Sequence, residues 1–254
     1  MRLHRRRSIV LVSLNADSHA ARAKLAYALD FPSFAQAEEG AARVASAVGV
    51  LKVGLELFVS EGPRAVQLGQ QLGCDVFLDL KLHDIPETVE RAVAAAAALG
   101  VRYLTLHAAG GPKMLAAAAR RAERENTELI LLAITVLTSL DASDLAAVGV
   151  LAEPGAQALR LAHLAQNAGI PGMVCSSAEV GSLRAALGPL AVLVTPGIRL
   201  GAKASDDDQK RTGTPTSAIR AGSSLLVVGR PIRDAADPGA AAAAIRDEIQ
   251  SALA

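Results

Sequence analysis

From residue 24 onward, short runs of β-branched and leucine residues alternate with longer Ala/Leu-rich stretches. Repetition of that kind implies βα units and a parallel sheet. The strand-like runs fall near 24–29, 50–53, 76–80, 103–106, 129–134, 172–174, 191–194 and 225–228. Helical patterns lie between them, among them 33–48, 86–99, 112–124 and 154–168, several beginning at or beside a proline. Proline is tolerated in the first helical turn, so these starts are self-consistent. Gly40 and Gly69 interrupt two helical patterns and blur their boundaries. Eight strands, each followed by a helix, is the count of a (β/α)8 barrel. A doubly wound open sheet is the competing α/β architecture, but it usually has fewer strands and one reversal of strand order.

Length agrees with the barrel: the chain has 254 residues, and one such barrel needs about 250. No linker or shift in composition divides it. Hydrophobic residues make up 51%, yet aromatics only 2% and Trp is absent, so Ala, Leu and Val must build the core. The 26 Lys and Arg against 25 Asp and Glu leave a net charge of +1. That balance offers no broad basic face for nucleic acid, and the apolar runs are too short or too interrupted by charge to span a membrane. Cys74 and Cys175 match no metal-ligand spacing and read as reduced thiols of a cytoplasmic protein. Residues 1–23 form a basic then apolar N-terminal extension, expected to be poorly ordered, ahead of a barrel domain at 24–254.

The densest chemical signal is Phe77-Leu78-Asp79-Leu80-Lys81-Leu82-His83-Asp84-Ile85-Pro86. On a strand, residues two apart share a face, so Asp79 and Lys81 would point inward and the leucines outward. Charges in a barrel interior are costly unless paired, and a paired set at the C-terminal end of a strand is where barrel active sites sit. The structural alternative is a buried ion pair with Asp84 capping the next helix. Asp30 at the end of the first strand and Lys52 on the second add charge at the same level. Alternating signs would keep each lysine protonated. At the other end of the chain, Thr195-Pro196-Gly197-Ile198-Arg199 and Val228-Gly229-Arg230-Pro231-Ile232 follow strands seven and eight. Barrel enzymes commonly bind phosphate there, and glycines let the backbone approach an anion. The irregular stretch 199–215, with Asp206, Asp207 and Asp208, is long enough to be a lid or binding loop.

Taken in order, Ala28-Leu29-Asp30, Leu51-Lys52-Val53-Gly54, Asp79-Leu80-Lys81-Leu82-His83-Asp84-Ile85-Pro86-Glu87-Thr88, Leu137-Thr138-Ser139, Pro196-Gly197-Ile198-Arg199 and Val228-Gly229-Arg230-Pro231-Ile232 resemble the orotidine 5'-phosphate decarboxylase family. The resemblance covers about residues 24 to 234, nearly the whole barrel domain. It implies loss of carbon dioxide from orotidine 5'-monophosphate, giving uridine 5'-monophosphate, the last step of de novo pyrimidine synthesis. It further implies a cytoplasmic homodimer with no cofactor and no metal.

By that resemblance Asp30 and Lys52 bond the ribose hydroxyls. Asp79 lies beside the substrate carboxylate and Lys81 beside C6. Asp84 reaches into the neighbouring subunit's site, and Thr88 contacts the ribose side of that site. Thr138 or Ser139 meets the pyrimidine edge. Gln209, Gly229 and Arg230 hold the phosphate, and Pro196 and Arg199 match substrate-binding positions. Related magnesium-dependent barrels, ketogulonate phosphate decarboxylase and hexulose phosphate synthase, share the Asp-x-Lys-x-x-Asp strand. They place an acidic metal ligand on strand two, where this chain has Lys52. An ammonium there would repel magnesium. His83 and His107, near strand ends, read as core or supporting residues rather than catalytic ones.

Overall fold

In the computed structural model, which describes residues 19–125, 128–200 and 212–254, eight parallel strands close into a barrel in chain order. They are β1 (Leu25–Ala28), β2 (Val50–Val53), β3 (Asp75–Leu82), β4 (Tyr103–His107), β5 (Ile130–Ile134), β6 (Gly172–Val174), β7 (Val192–Thr195) and β8 (Leu225–Val228). Closure comes from β1 pairing with β8 as well as with β2, with Leu25 opposite Leu226 and Ala26 opposite Val50. That pairing excludes the open sheet, which would leave two strand edges unpaired. Of the N-terminal extension, residues 1–18 lie outside the described residues. Residues 19–23 are helical, and Ala21 is buried.

Strict alternation along the strands divides the apolar residues between two layers. Leu25, Tyr27, Leu51, Val53, Leu78, Leu104 and Leu106 face outward and pack against the helices. Ala26, Ala28, Val50, Phe77, Leu132, Val194, Leu225 and Val227 form a separate cluster inside the barrel. Parallel strands covered on both faces read as continuous apolar runs for this reason. Phe77 and Tyr103, edge to face at 5.9 Å between ring centroids, fill the interior. The small side chain of Ala28 leaves space towards the C-terminal end.

The helices start where local chemistry allows. Pro86–Ala98, Pro154–Asn167 and Pro238–Leu253 each begin on a proline. Phe34–Val44 is capped by Ser33, whose hydroxyl accepts from the Gln36 amide. That helix stops four residues short of the expected 48. The chain must turn at Gly49 to enter β2, and a β-carbon there would lie 2.6 Å from the Arg22 carbonyl oxygen. Gly40 and Gly69 sit inside helices because packing requires them. A β-carbon would meet the Phe31 ring at 2.6 Å in the first case and Val76 Cγ2 at 2.5 Å in the second. Among the described residues, no helix is long and apolar enough to cross a membrane.

The N-terminal rim of the barrel collects the free carbonyls at helix ends, and long polar side chains satisfy them. Arg22 donates to the Ala45 carbonyl at 3.1 Å, Gln70 to Leu99 at 2.9 Å and Gln166 to Leu187 at 3.0 Å. Arg184 bonds the carbonyls of Gly188 and Ala191 at 2.8 Å and that of Gly222 at 2.7 Å, and adds the Ser224 hydroxyl at 3.1 Å. Truncation would strand those carbonyls. Arg184→Ala is expected to destabilise the fold by about 2–4 kcal/mol, from the worth of charge-assisted hydrogen bonds. Urea denaturation would read this, and an unchanged midpoint would show the rim to be tied elsewhere.

Candidate active site

The C-terminal end of the barrel is charged, and β3 supplies the centre of that charge. Phe77 and Leu78 pair in register with Tyr103 and Leu104 of β4, but the next pairing is Leu82 with Leu106. Four residues of β3 therefore span two of β4, a bulge that a strand of even period does not anticipate. Within it Lys81 has φ 51°, the one non-glycine residue in the left-handed region among those described. For an L-residue that conformation costs energy and persists where surrounding contacts enforce it. Here the Lys81 amide donates to Thr105 Oγ1 at 2.9 Å. Leu80 and Leu82 still pack outward against the helical layer, as the sequence suggests.

Asp79 is the hub. Its Oδ2 lies 2.8 Å from Lys81 Nζ and 3.7 Å from Lys52 Nζ, and its Oδ1 accepts the Thr105 hydroxyl at 2.9 Å. Burial pushes its pKa up, since the residue is only 8% exposed. The Lys52 and Lys81 ammonium groups, with the Lys81 and Thr105 hydrogen bonds, outweigh burial and hold the carboxyl below the usual carboxylate value. Asp79 is thus an anion at neutral pH. Lys52 reaches in the other direction to Asp30 Oδ1 at 3.2 Å. Asp30, Lys52, Asp79 and Lys81 form a row of alternating charge. Gly54 leaves the row its space: a β-carbon there would lie 3.1 Å from Lys52 Nζ.

These side chains line one cavity of about 350 Å³, within the range of small-molecule sites. Its charged side holds Asp30, Lys52, Asp79 and Lys81. Ile134, Val136, Leu137 and Val174 give an apolar wall, beside Thr138 and Cys175. Pro196, Gly197 and Arg199 follow β7, and Gly229 and Arg230 follow β8. Ile198 bridges to Gly213, and the Arg199 amide donates to the Gly213 carbonyl at 2.9 Å. The two ends of the long segment after β7 are therefore held together beside Arg199. Residues 201–211, which include Asp206, Asp207, Asp208 and the expected phosphate ligand Gln209, lie outside the described residues.

Of the remaining expected site residues, Ser139 is exposed and Asp84 and Thr88 stand outside the cavity. Asp84 accepts the Ile85 amide at 2.6 Å and, with His83, Ile85 and Pro86, lines a separate shallow depression. Sequence reasoning missed two groups. Thr105 is one polar residue in the apolar strand Tyr103-Leu104-Thr105-Leu106-His107, and only the bulge opposite it reveals its contacts. Arg233 lines the cavity, donates to the Asp30 carbonyl at 3.1 Å and pairs with Asp234 at 2.7 Å. Its spacing of three from Arg230, on a helical turn, was the available clue. His83 and His107 lie with ring centroids 5.4 Å apart. Burial first, then His83 and Lys81, lowers the His107 pKa.

Residues 23–245 match the model of the Orotidine 5'-phosphate decarboxylase / HUMPS family. The chain belongs to that family. Among its relatives is an orotidine 5'-phosphate decarboxylase from Anaeromyxobacter sp. (strain K), 56% identical over 222 residues, which are 87% of this chain and 96% of the relative. Another, from Chromohalobacter salexigens, is 51% identical over 89% of this chain and 95% of its own length. The crystal structure of orotidine 5'-phosphate decarboxylase from Lactobacillus acidophilus superposes with a TM-score of 0.78 at 36% identity, covering 89% of this chain and 99% of that one. Family membership agrees with the closed barrel.

Proposed function

We propose that this chain decarboxylates orotidine 5'-monophosphate to uridine 5'-monophosphate, the last step of de novo pyrimidine synthesis, in the cytoplasm and without metal or organic cofactor. The carrying observation is the Asp79 carboxylate held between the Lys52 and Lys81 ammonium groups inside the cavity. Heterolysis of the C6–carboxylate bond releases carbon dioxide and leaves its electron pair in an sp² orbital that the ring delocalises poorly. Lys81 faces that developing charge, stabilises it and then donates a proton to C6, and the resulting amine regains its proton from water. Asp79, 2.8 Å from the ammonium, keeps Lys81 aimed. Asp30 and Lys52 take the ribose hydroxyls, Thr138 or Ser139 the pyrimidine edge, and Gly229, Arg230 and Gln209 the phosphate. Pro196 and Arg199 border that end of the cavity. Binding energy from the phosphate is then available to order the reacting end.

Lys52 favours this reading over a magnesium-dependent one. Its ammonium stands 3.2 Å from Asp30 and 3.7 Å from Asp79, between the two carboxylates a divalent cation would need to share. The proposed assembly is a homodimer in which Asp84 and Thr88 complete the partner's site. In the single chain both are exposed, beside an Ile85 that is 64% exposed, and so are accessible to a second subunit.

Purified protein with orotidine 5'-monophosphate in excess EDTA tests the reaction. Loss of substrate absorbance with formation of uridine 5'-monophosphate is expected. Turnover that appears only when magnesium is added, or only with a sugar phosphate, would overturn the reading.

A further inference from the structure

Thr105 is fully buried on β4 and does not line the cavity. Its one hydroxyl oxygen is nevertheless used twice. It accepts the Lys81 backbone N–H at 2.9 Å and donates to Asp79 Oδ1 at 2.9 Å. A hydroxyl has one proton to give and lone pairs to receive, so both bonds are made at once with the donor and acceptor roles fixed. Because Asp79 is ionised and accepts only, the proton must point to it. The remaining lone pairs face Lys81. The residue so gripped is the one described non-glycine residue in the left-handed region, at φ 51°. The grip falls inside the β3 bulge, where ladder pairing with β4 lapses between Leu78 and Leu82. The lost ladder partner of the Lys81 amide is thus replaced by a side chain from the facing strand.

We propose that Thr105 is a positioning residue for the reaction: its hydroxyl holds the Lys81 backbone in the left-handed turn and orients Asp79, so that the ammonium is set in place before substrate binds. This rests on Lys81 being the group that acts at C6. Neither the methyl group nor the volume of Thr105 suffices, because both bonds need the oxygen. Serine keeps that oxygen and loses a methyl group, whereas valine keeps the shape and loses the oxygen.

The experiment compares Thr105→Ser and Thr105→Val with the unaltered enzyme and with Lys81→Ala, all on orotidine 5'-monophosphate. In Thr105→Val, kcat should fall by about 10²-fold, the scale of a small misplacement of a reacting group. KM should move by less than about threefold, because the groups expected to bind substrate remain. Thr105→Ser should restore kcat to within about fivefold of normal, since both hydrogen bonds return. Amide hydrogen exchange supplies a readout apart from activity: the Lys81 N–H should be protected in the threonine and serine forms and exchange faster in the valine form. Unchanged kcat in Thr105→Val, or an equal loss in the serine and valine forms, would overturn the positioning role. Turnover surviving Lys81→Ala would instead sink the catalytic reading on which it rests.

Discussion

Lys81→Ala should lower turnover of orotidine 5'-monophosphate by at least about 10⁴-fold, since in the proposed reaction one side chain both stabilises the developing charge and supplies the proton. The loss should fall on kcat. Binding of uridine 5'-monophosphate should change little, because the residues proposed to hold its phosphate and ribose are unaltered. The fold should also survive. Asp79 would retain Lys52 at 3.7 Å and the Thr105 hydroxyl at 2.9 Å, so no carboxylate is left buried without a partner. Stopped-time assays with product binding by calorimetry check both halves, and near-normal turnover would remove Lys81 from the chemistry.

The second large effect tests the shared site. Asp84 is exposed and outside the cavity of its own chain, so its proposed role is in trans. Asp84→Ala and Lys81→Ala homodimers should each be nearly inactive. Mixed and allowed to exchange subunits, half the dimers become heterodimers, and in each of those one site carries both defects while the other is intact. Activity should therefore rise to about a quarter of normal, by the statistics of a two-fold assembly. A mixture that stays inactive after demonstrated exchange would place Asp84 in its own subunit's chemistry, and an active Asp84→Ala protein would place it outside.

How far the fold could be read from sequence depended on which rule governed each segment. All eight strands lie where β-branched and leucine runs place them, since strands buried on both faces leave long apolar signatures. Helix starts at Pro86 and Pro154 were equally legible. The end of the helix after Ser33 was not, because the turn at Gly49 is forced by its approach to the Arg22 carbonyl, a contact distant along the chain. The site followed the same division. Asp30, Lys52, Asp79 and Lys81 were visible as charges at strand ends, and the structure gathers them. The left-handed turn at Lys81 was hidden, for period-two reasoning assigns a side to a residue and says nothing of a bulge. Thr105 was hidden as well, since one threonine in a strand is ordinary until its partners are known.

Given the proposed role of Lys81, its turn also sets selection for stability against selection for activity at a single codon. Glycine or asparagine would relieve about 1–2 kcal/mol of backbone cost there, and neither carries an ammonium. A library of variants sorted on thermal resistance alone would drift toward those residues and fill with well-folded, inactive barrels. Only a sort that demands the product would keep lysine at this position.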